Sequence, residues 1–183
     1  MSRFHLLFLA WGARFWYAIS QFLTSFGGEA VQRYPYATHI ADALQYGRRY
    51  RKDGLVDWMV HPTRVQDRLN SHQRAGDCED HMGYWLAALH RSRISNESYA
   101  GFLYYTVEGK REGHAVAIFK GRDGQYYWAD YFSPQVVDDL LRWEDAAMMG
   151  RPSDSNLVGS ILFRVTVSPS GTIHFKSPVC KQH

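Results

Sequence analysis

The stretch GDCEDHMGYWLAALH, residues 76–90, decides how this chain folds. Cys78, Met82, Trp85, Leu86 and Leu89 recur at the spacing of one helical face, which predicts a helix starting at Cys78 with a buried stripe. Asp77 stands at the N-cap position, where its carboxylate can accept from the first-turn N–H groups. After Asn96 the apolar period changes to two. Residues 99–107, 114–119 and 125–131 read as strands, with GRDG at 121–124 as a turn. Residues 135–149 read as helix, and 157–167 with 172–176 as a hairpin across SPSG. Upstream, 38–50 reads as a helix with Ile40, Ala43 and Leu44 on its apolar face, and 63–72 as a short helix after Pro62. Helices first and antiparallel strands after predict an α+β fold.

Composition agrees with one ordinary globular domain. The chain has 183 residues, 45% of them apolar and 21% charged, which excludes a disordered chain. A net charge of +3 is too small to argue for nucleic acid as a partner. The run GRRYRKDG at 47–54 reads as a solvated helix end whose cations suit the C-terminal dipole. Two cysteines exclude a disulfide scaffold. The rings of Tyr104, Tyr105, Tyr126, Tyr127, Trp128 and Tyr131 read as core packing rather than as the wall of a cleft.

The N-terminal segment is different in kind. Residues 4–26 are apolar all round a helical wheel, with Arg14 the one permanent charge, and Gly27-Gly28 supplies a stop. Such a helix packs on the domain or a partner, or enters a membrane, where a central Arg costs about 3 kcal/mol. We therefore divide the chain into residues 1–35, a hydrophobic docking segment or membrane anchor, and 36–183, the domain proper. Uncleaved, this segment points to a membrane-associated or assembly-bound protein, and otherwise to a cytoplasmic one.

The chemistry centres on Cys78. A cysteine in the first turn of a helix sits at the positive end of the dipole, which favours the thiolate. A nucleophile also needs a base and a group to orient that base. His114 opens one predicted strand and Asp130 closes the next. If the loop between them is Gly121–Asp123 or Lys120–Gly124, His114 stands directly opposite Asp130 on one sheet face. A four-residue loop would put them on opposite faces.

Gly76-Asp77-Cys78-Glu79-Asp80, then Gly113-His114-Ala115-Val116, then Trp128-Ala129-Asp130 together resemble the bacterial transglutaminase-like cysteine proteinases, within the wider transglutaminase and papain-like clan. The resemblance spans roughly residues 36–134 and is strongest at GDCED. Asp57-Trp58 and Pro62 echo an upstream motif of that family. Met59 and His61 depart from it, and the segment from Pro62 to Cys78 is several residues too long. The resemblance implies a papain/transglutaminase-like fold, with the helical part carrying the nucleophile packed on an antiparallel sheet. It implies that Cys78 attacks a peptide or amide carbonyl of a protein or peptide substrate and forms a thioester. His114 would be base and then acid, and Asp130 would orient it. The oxyanion would be held by the Cys78 N–H and a second donor, with Gln73 and Trp58 as candidates. Hydrolysis, amide crosslinking and deamidation share this acyl-enzyme step.

Asp77, Glu79 and Asp80 are awkward neighbours, because carboxylates disfavour a thiolate. The chemistry requires no cofactor. The calcium dependence of family members with acids flanking the Cys nevertheless implies Ca²⁺ on Asp77 and Glu79, against the plainer reading of solvated helix-capping acids. Zinc on His72, Cys78 and His81 lacks a recognisable fourth ligand. Cys180 has no comparable context, and His61, His72 and His90 read as surface residues. The rival from another class is a non-catalytic structural or assembly protein, such as a phage virion component, that keeps the transglutaminase-like fold.

Overall fold

The computed structural model describes residues 2–25, 28–46, 59–73, 76–130, 134–149 and 151–183. Among these the chain is α+β, with five α-helices and one six-stranded antiparallel sheet. In chain order the helices are α1 (Arg3–Thr24), α2 (Ala37–Tyr46), α3 (Pro62–Asn70), α4 (Cys78–Arg91) and α5 (Trp143–Met148). The strands are β1 (Ser98–Val107), β2 (Lys110–Lys120), β3 (Tyr126–Ala129), β4 (Gln135–Val137), β5 (Asn156–Val167) and β6 (Ile173–Gln182). They lie side by side in the order β4-β3-β2-β1-β5-β6.

Alternation along the two central strands sorts the core into two faces. Ala100 and Phe102 of β1 and Ala115, Ala117 and Phe119 of β2 join α4 in the larger apolar cluster. Leu103, Val116 and Ile118 face the other way, under Trp143 and α5. Gly101 admits that indole: a Cβ there would stand 2.7 Å from Trp143 Cζ3. Because β2 is covered on both faces, its central residues are buried without interruption, as HAVAIF suggests.

Helix α4 is buried almost all round, well beyond the stripe predicted for it. Its Tyr84 hydroxyl, on the α3 side, is satisfied there. The hydroxyls of Tyr84 and Tyr34 are 2.6 Å apart, and Tyr84 donates to Gln66 Oε1 at 2.6 Å.

Helix α1 lies on the β5–β6 side of the sheet, and Leu6, Ala10 and Tyr17 enter the larger cluster. Tyr17 stacks on Phe102 at 5.8 Å between centroids. Gln21 imitates a strand partner: its Nε2 donates to Ile173 O at 3.1 Å and its Oε1 accepts from Ile173 N–H at 2.8 Å. Among the described residues, no helix is long and apolar enough to cross a membrane.

Four local expectations need correction. Residues 135–149 are not one helix: Val136 and Gln135 pair with Tyr127 and Trp128 as β4, and Asp139 then accepts from Leu141 N–H to start a 3-10 turn ahead of α5. The β-branched pair Val136-Val137 and the Asp139 turn override the helical spacing. Strand β2 starts at Lys110, and β6 runs on to Gln182. His61 is not a surface residue. It is buried at the N-cap of α3, 2.8 Å from Thr63 Oγ1 and 3.2 Å from Thr172 Oγ1. The basic run 47–54 and Tyr131 lie outside the described residues.

Candidate active site

Gly76 shapes the approach to the nucleophile. Its φ of +139° lies where glycine is favoured, and a Cβ there would meet Asp80 Oδ2 at 1.9 Å. Asp80 is fully buried and acts as a bracket, accepting from Val60 N–H at 2.6 Å and from Arg68 Nη1 at 3.3 Å. The glycine and this acid of the GDCED motif thus fix how the chain before α3, α3 itself and the start of α4 meet. Asp77 holds the N-cap position but makes no side-chain capping bond, and it is buried. The reading of these acids as solvated caps therefore fails for Asp77 and Asp80.

Cys78 opens α4 and is 8% exposed. Strand β3 pairs with β2 only from Ala117 to Lys120, so β2 runs on past the last β3 pair at Ala115. There the Ala115 backbone lies close enough to the Cys78 thiol to work against the rise of its pKa. The sulfur thus lies beside β2, one residue along the chain from His114.

His114 and Asp130 form a buried pair, 6% and 2% exposed, with Nε2 and Oδ2 3.0 Å apart. The register that brings them together is not the expected one. The pairs are Ala117↔Ala129 through Lys120↔Tyr126, which carries Asp130 to the level of Val116, two residues from His114. The turn occupies 121–125, closed by Gly121 N–H donating to Gln125 O at 2.8 Å. A shift of two keeps the face, so the side chains still meet, diagonally rather than directly across. Both share a face with Val116 and Ile118, whereas Cys78 belongs to the α4 layer.

Three further groups complete the surroundings, of which Arg151 was not singled out from the sequence. Arg151 Nη2 stands 3.0 Å from the same Asp130 Oδ2 that His114 engages. Trp85 Nε1 donates to the Asp130 carbonyl at 2.7 Å, tying the end of β3 to α4. His81, one turn after Cys78, is buried close enough to feel both Asp130 and His114.

Electrostatically, the resting site is neutral at its reacting atoms. Burial, then the Glu79 carboxylate, pushes the Cys78 thiol well above its usual range, and the thiol donates to Glu79 Oε2 at 3.0 Å. Burial holds the His114 imidazole below its ordinary value, Asp130 opposes this, and Arg151 adds to it. Burial drives His81 down to about 4.

The remaining candidates are placed as follows. Gln73 is exposed just beyond α3, beside a surface cavity it shares with Arg64 and Arg68. Trp58 lies outside the described residues. His72 is exposed and His81 buried, so the suggested zinc set is divided. Among the described residues no group of three or more His, Cys, Asp or Glu side chains could hold a metal ion. Of the two acids suggested for calcium, Glu79 is turned to the thiol and Asp77 is buried at the N-cap of α4; no step below runs through a cation. Both cysteines are free thiols, and Cys180 lies on β6, separated from β2 by β1 and β5. A cavity of about 620 Å³ lies at the far end of α4, lined by Ala87, His90 and Arg91 and by the 168–172 turn, away from Cys78. No family model matches the chain, and no curated protein matches it.

Proposed function

We propose that this chain is a cysteine-dependent hydrolase of the transglutaminase-like proteinase type, cleaving a peptide or amide bond through a thioester on Cys78. The observation that carries the reading is the convergence on one stretch of β2. The buried His114–Asp130 pair and the Cys78 thiol, at the start of a buried helix, meet β2 at the consecutive residues His114 and Ala115. A nucleophile-bearing helix packed on an antiparallel sheet supports assignment to the papain/transglutaminase-like folds.

The residues divide the work as follows. Asp130 accepts from His114 Nε2–H, which makes Nδ1 the basic nitrogen. The imidazole is neutral at rest and ready to take a proton. As sulfur attacks the carbonyl carbon, the thiol proton passes to Nδ1, and Asp130 stabilises the imidazolium. The oxyanion lies toward the first N–H groups of α4, which have no intrahelical acceptor. Collapse breaks the C–N bond, the amine leaves with the proton from Nδ1, and a thioester remains. Water attacks the thioester, giving its proton to Nδ1, and the thiol is restored. Glu79 competes for the thiol proton and must swing aside on substrate entry, which its partial exposure permits.

The rival reading, a structural or assembly protein with a retired site, draws on the same Glu79 contact, because a carboxylate on the thiol suppresses its nucleophilicity. One experiment separates them. The Cys180→Ser chain is incubated with a peptide mixture and glycine ethyl ester, and the products are read by mass spectrometry. Cleaved peptides are expected; ester adducts on glutamine, or glutamine converted to glutamate, would reassign the resolving step to transamidation or deamidation. No product, or product undiminished in Cys78→Ala, overturns the proposal.

A further inference from the structure

Helix α1 has two unlike faces. Leu6, Ala10, Tyr17, Ser20 and Gln21 are buried on the sheet. Phe4, Phe8, Trp11, Phe15 and Phe22 are all at least 65% exposed. At about 3.6 residues per turn these five fall within about 40° of a single line along the helix. That line is opposite the buried face. Five large rings in one exposed row exceed the scattered apolar residues of an ordinary surface.

Charge says what covers the row. On the same wheel Arg14 and His5 flank the aromatic line on opposite sides, each about 80–100° away. The Arg14 guanidinium lies 5.8 Å from the Trp11 ring centroid, so that the cation and the indole form one amphipathic unit. Residues 1–28 contain no Asp or Glu, and their basic side chains are Arg3, His5 and Arg14. A second copy would bring to this face the same basic flanks with nothing of opposite sign. An anionic bilayer offers what the face lacks, with acyl chains for the rings and phosphates for the flanking cations.

We propose that the outer face of α1 is a membrane-surface docking site, on which the chain lies flat against anionic phospholipid. Phe8, Trp11 and Phe15 enter the headgroup–acyl boundary, and Arg14 pairs with phosphate. The helix lies on the bilayer and does not span it, since its other face is committed to the sheet. This inference is independent of the chemistry proposed for Cys78.

The test is co-sedimentation of the full chain with vesicles of phosphatidylcholine alone and of phosphatidylcholine mixed with phosphatidylserine. Binding is expected on the mixed vesicles and, about tenfold or more weaker, on the neutral ones. Phe8→Ser/Trp11→Ser/Phe15→Ser abolishes it with an unchanged circular-dichroism melt, and Arg14→Glu weakens it on the mixed vesicles only. Should the triple variant fail to fold, brominated acyl chains provide a second readout. They quench tryptophan emission of the wild type, and Trp11→Phe loses that quenching while still binding. Absence of sedimentation with mixed vesicles, equal binding by the folded triple variant, or a dimer in sedimentation velocity without vesicle binding overturns the proposal.

Discussion

His114 and Arg151 meet on one atom: Nε2 of the imidazole and Nη2 of the guanidinium each stand 3.0 Å from Oδ2 of Asp130. The carboxylate is thus shared between the group it orients and a permanent cation. That cation opposes protonation of His114. Removing Arg151 should therefore raise the His114 pKa. In Arg151→Met the acid limb of the pH–rate profile for Cys78 acylation should move to higher pH, with a stability loss of about 1–3 kcal/mol for the lost charged hydrogen bond. An unmoved limb would show that Arg151 only fills space.

Acid should weaken the fold through the buried histidines. The His81 pKa falls from 6.5 to about 4 on folding, so the unfolded chain binds the proton first. The contribution is complete above pH 6.5 and is lost as pH falls toward 4, about 3 kcal/mol at roughly 1.4 kcal/mol per unit. His114 and His61, both also lowered, act in the same direction. Urea unfolding between pH 7 and 4 should show this slope, and His81→Leu should flatten it by His81's share.

The Gln21 bridge makes α1 part of the fold's hydrogen-bond ladder. Gln21→Ala strips a donor and an acceptor from the buried Ile173 backbone and should cost about 2–4 kcal/mol. Denaturant midpoints check this. A change under half a kilocalorie would mean that the Ile173 groups find other partners.

Glu79 raises the thiol pKa by charge and by accepting its proton. Glu79→Gln removes the charge and should shift the pH profile of Cys78 alkylation to lower pH in a Cys180→Ser background, the fold being retained because Glu79 is partly exposed. An identical profile would place Glu79 away from the sulfur in solution.

Much of this was legible in the chain because it rests on periodicity. The stripe from Cys78 to Leu89 announced α4, and the period of two kept His114 and Asp130 on one face even though the turn shifted the register by two residues. What the sequence hid depends on chain return rather than local pattern. Arg151 reaches Asp130 only after the chain has passed through β4 and α5, and no spacing encodes that meeting. His61 resembles any polar residue before a proline until Thr63 and Thr172 close around it. The acids of GDCED look alike in sequence, yet Asp80 braces the entry chain while Glu79 turns to the thiol.

Acyl turnover tests the central claim most directly. The Cys180→Ser chain is mixed with p-nitrophenyl acetate, and the acetyl adduct on Cys78 is followed by intact-mass spectrometry in wild-type and His114→Ala backgrounds. The account predicts a thioester on Cys78 that forms and hydrolyses, with hydrolysis slowed about 10²–10⁴-fold without His114. A Cys78 that stays unmodified in the folded chain, or a thioester that hydrolyses equally fast without His114, would contradict it.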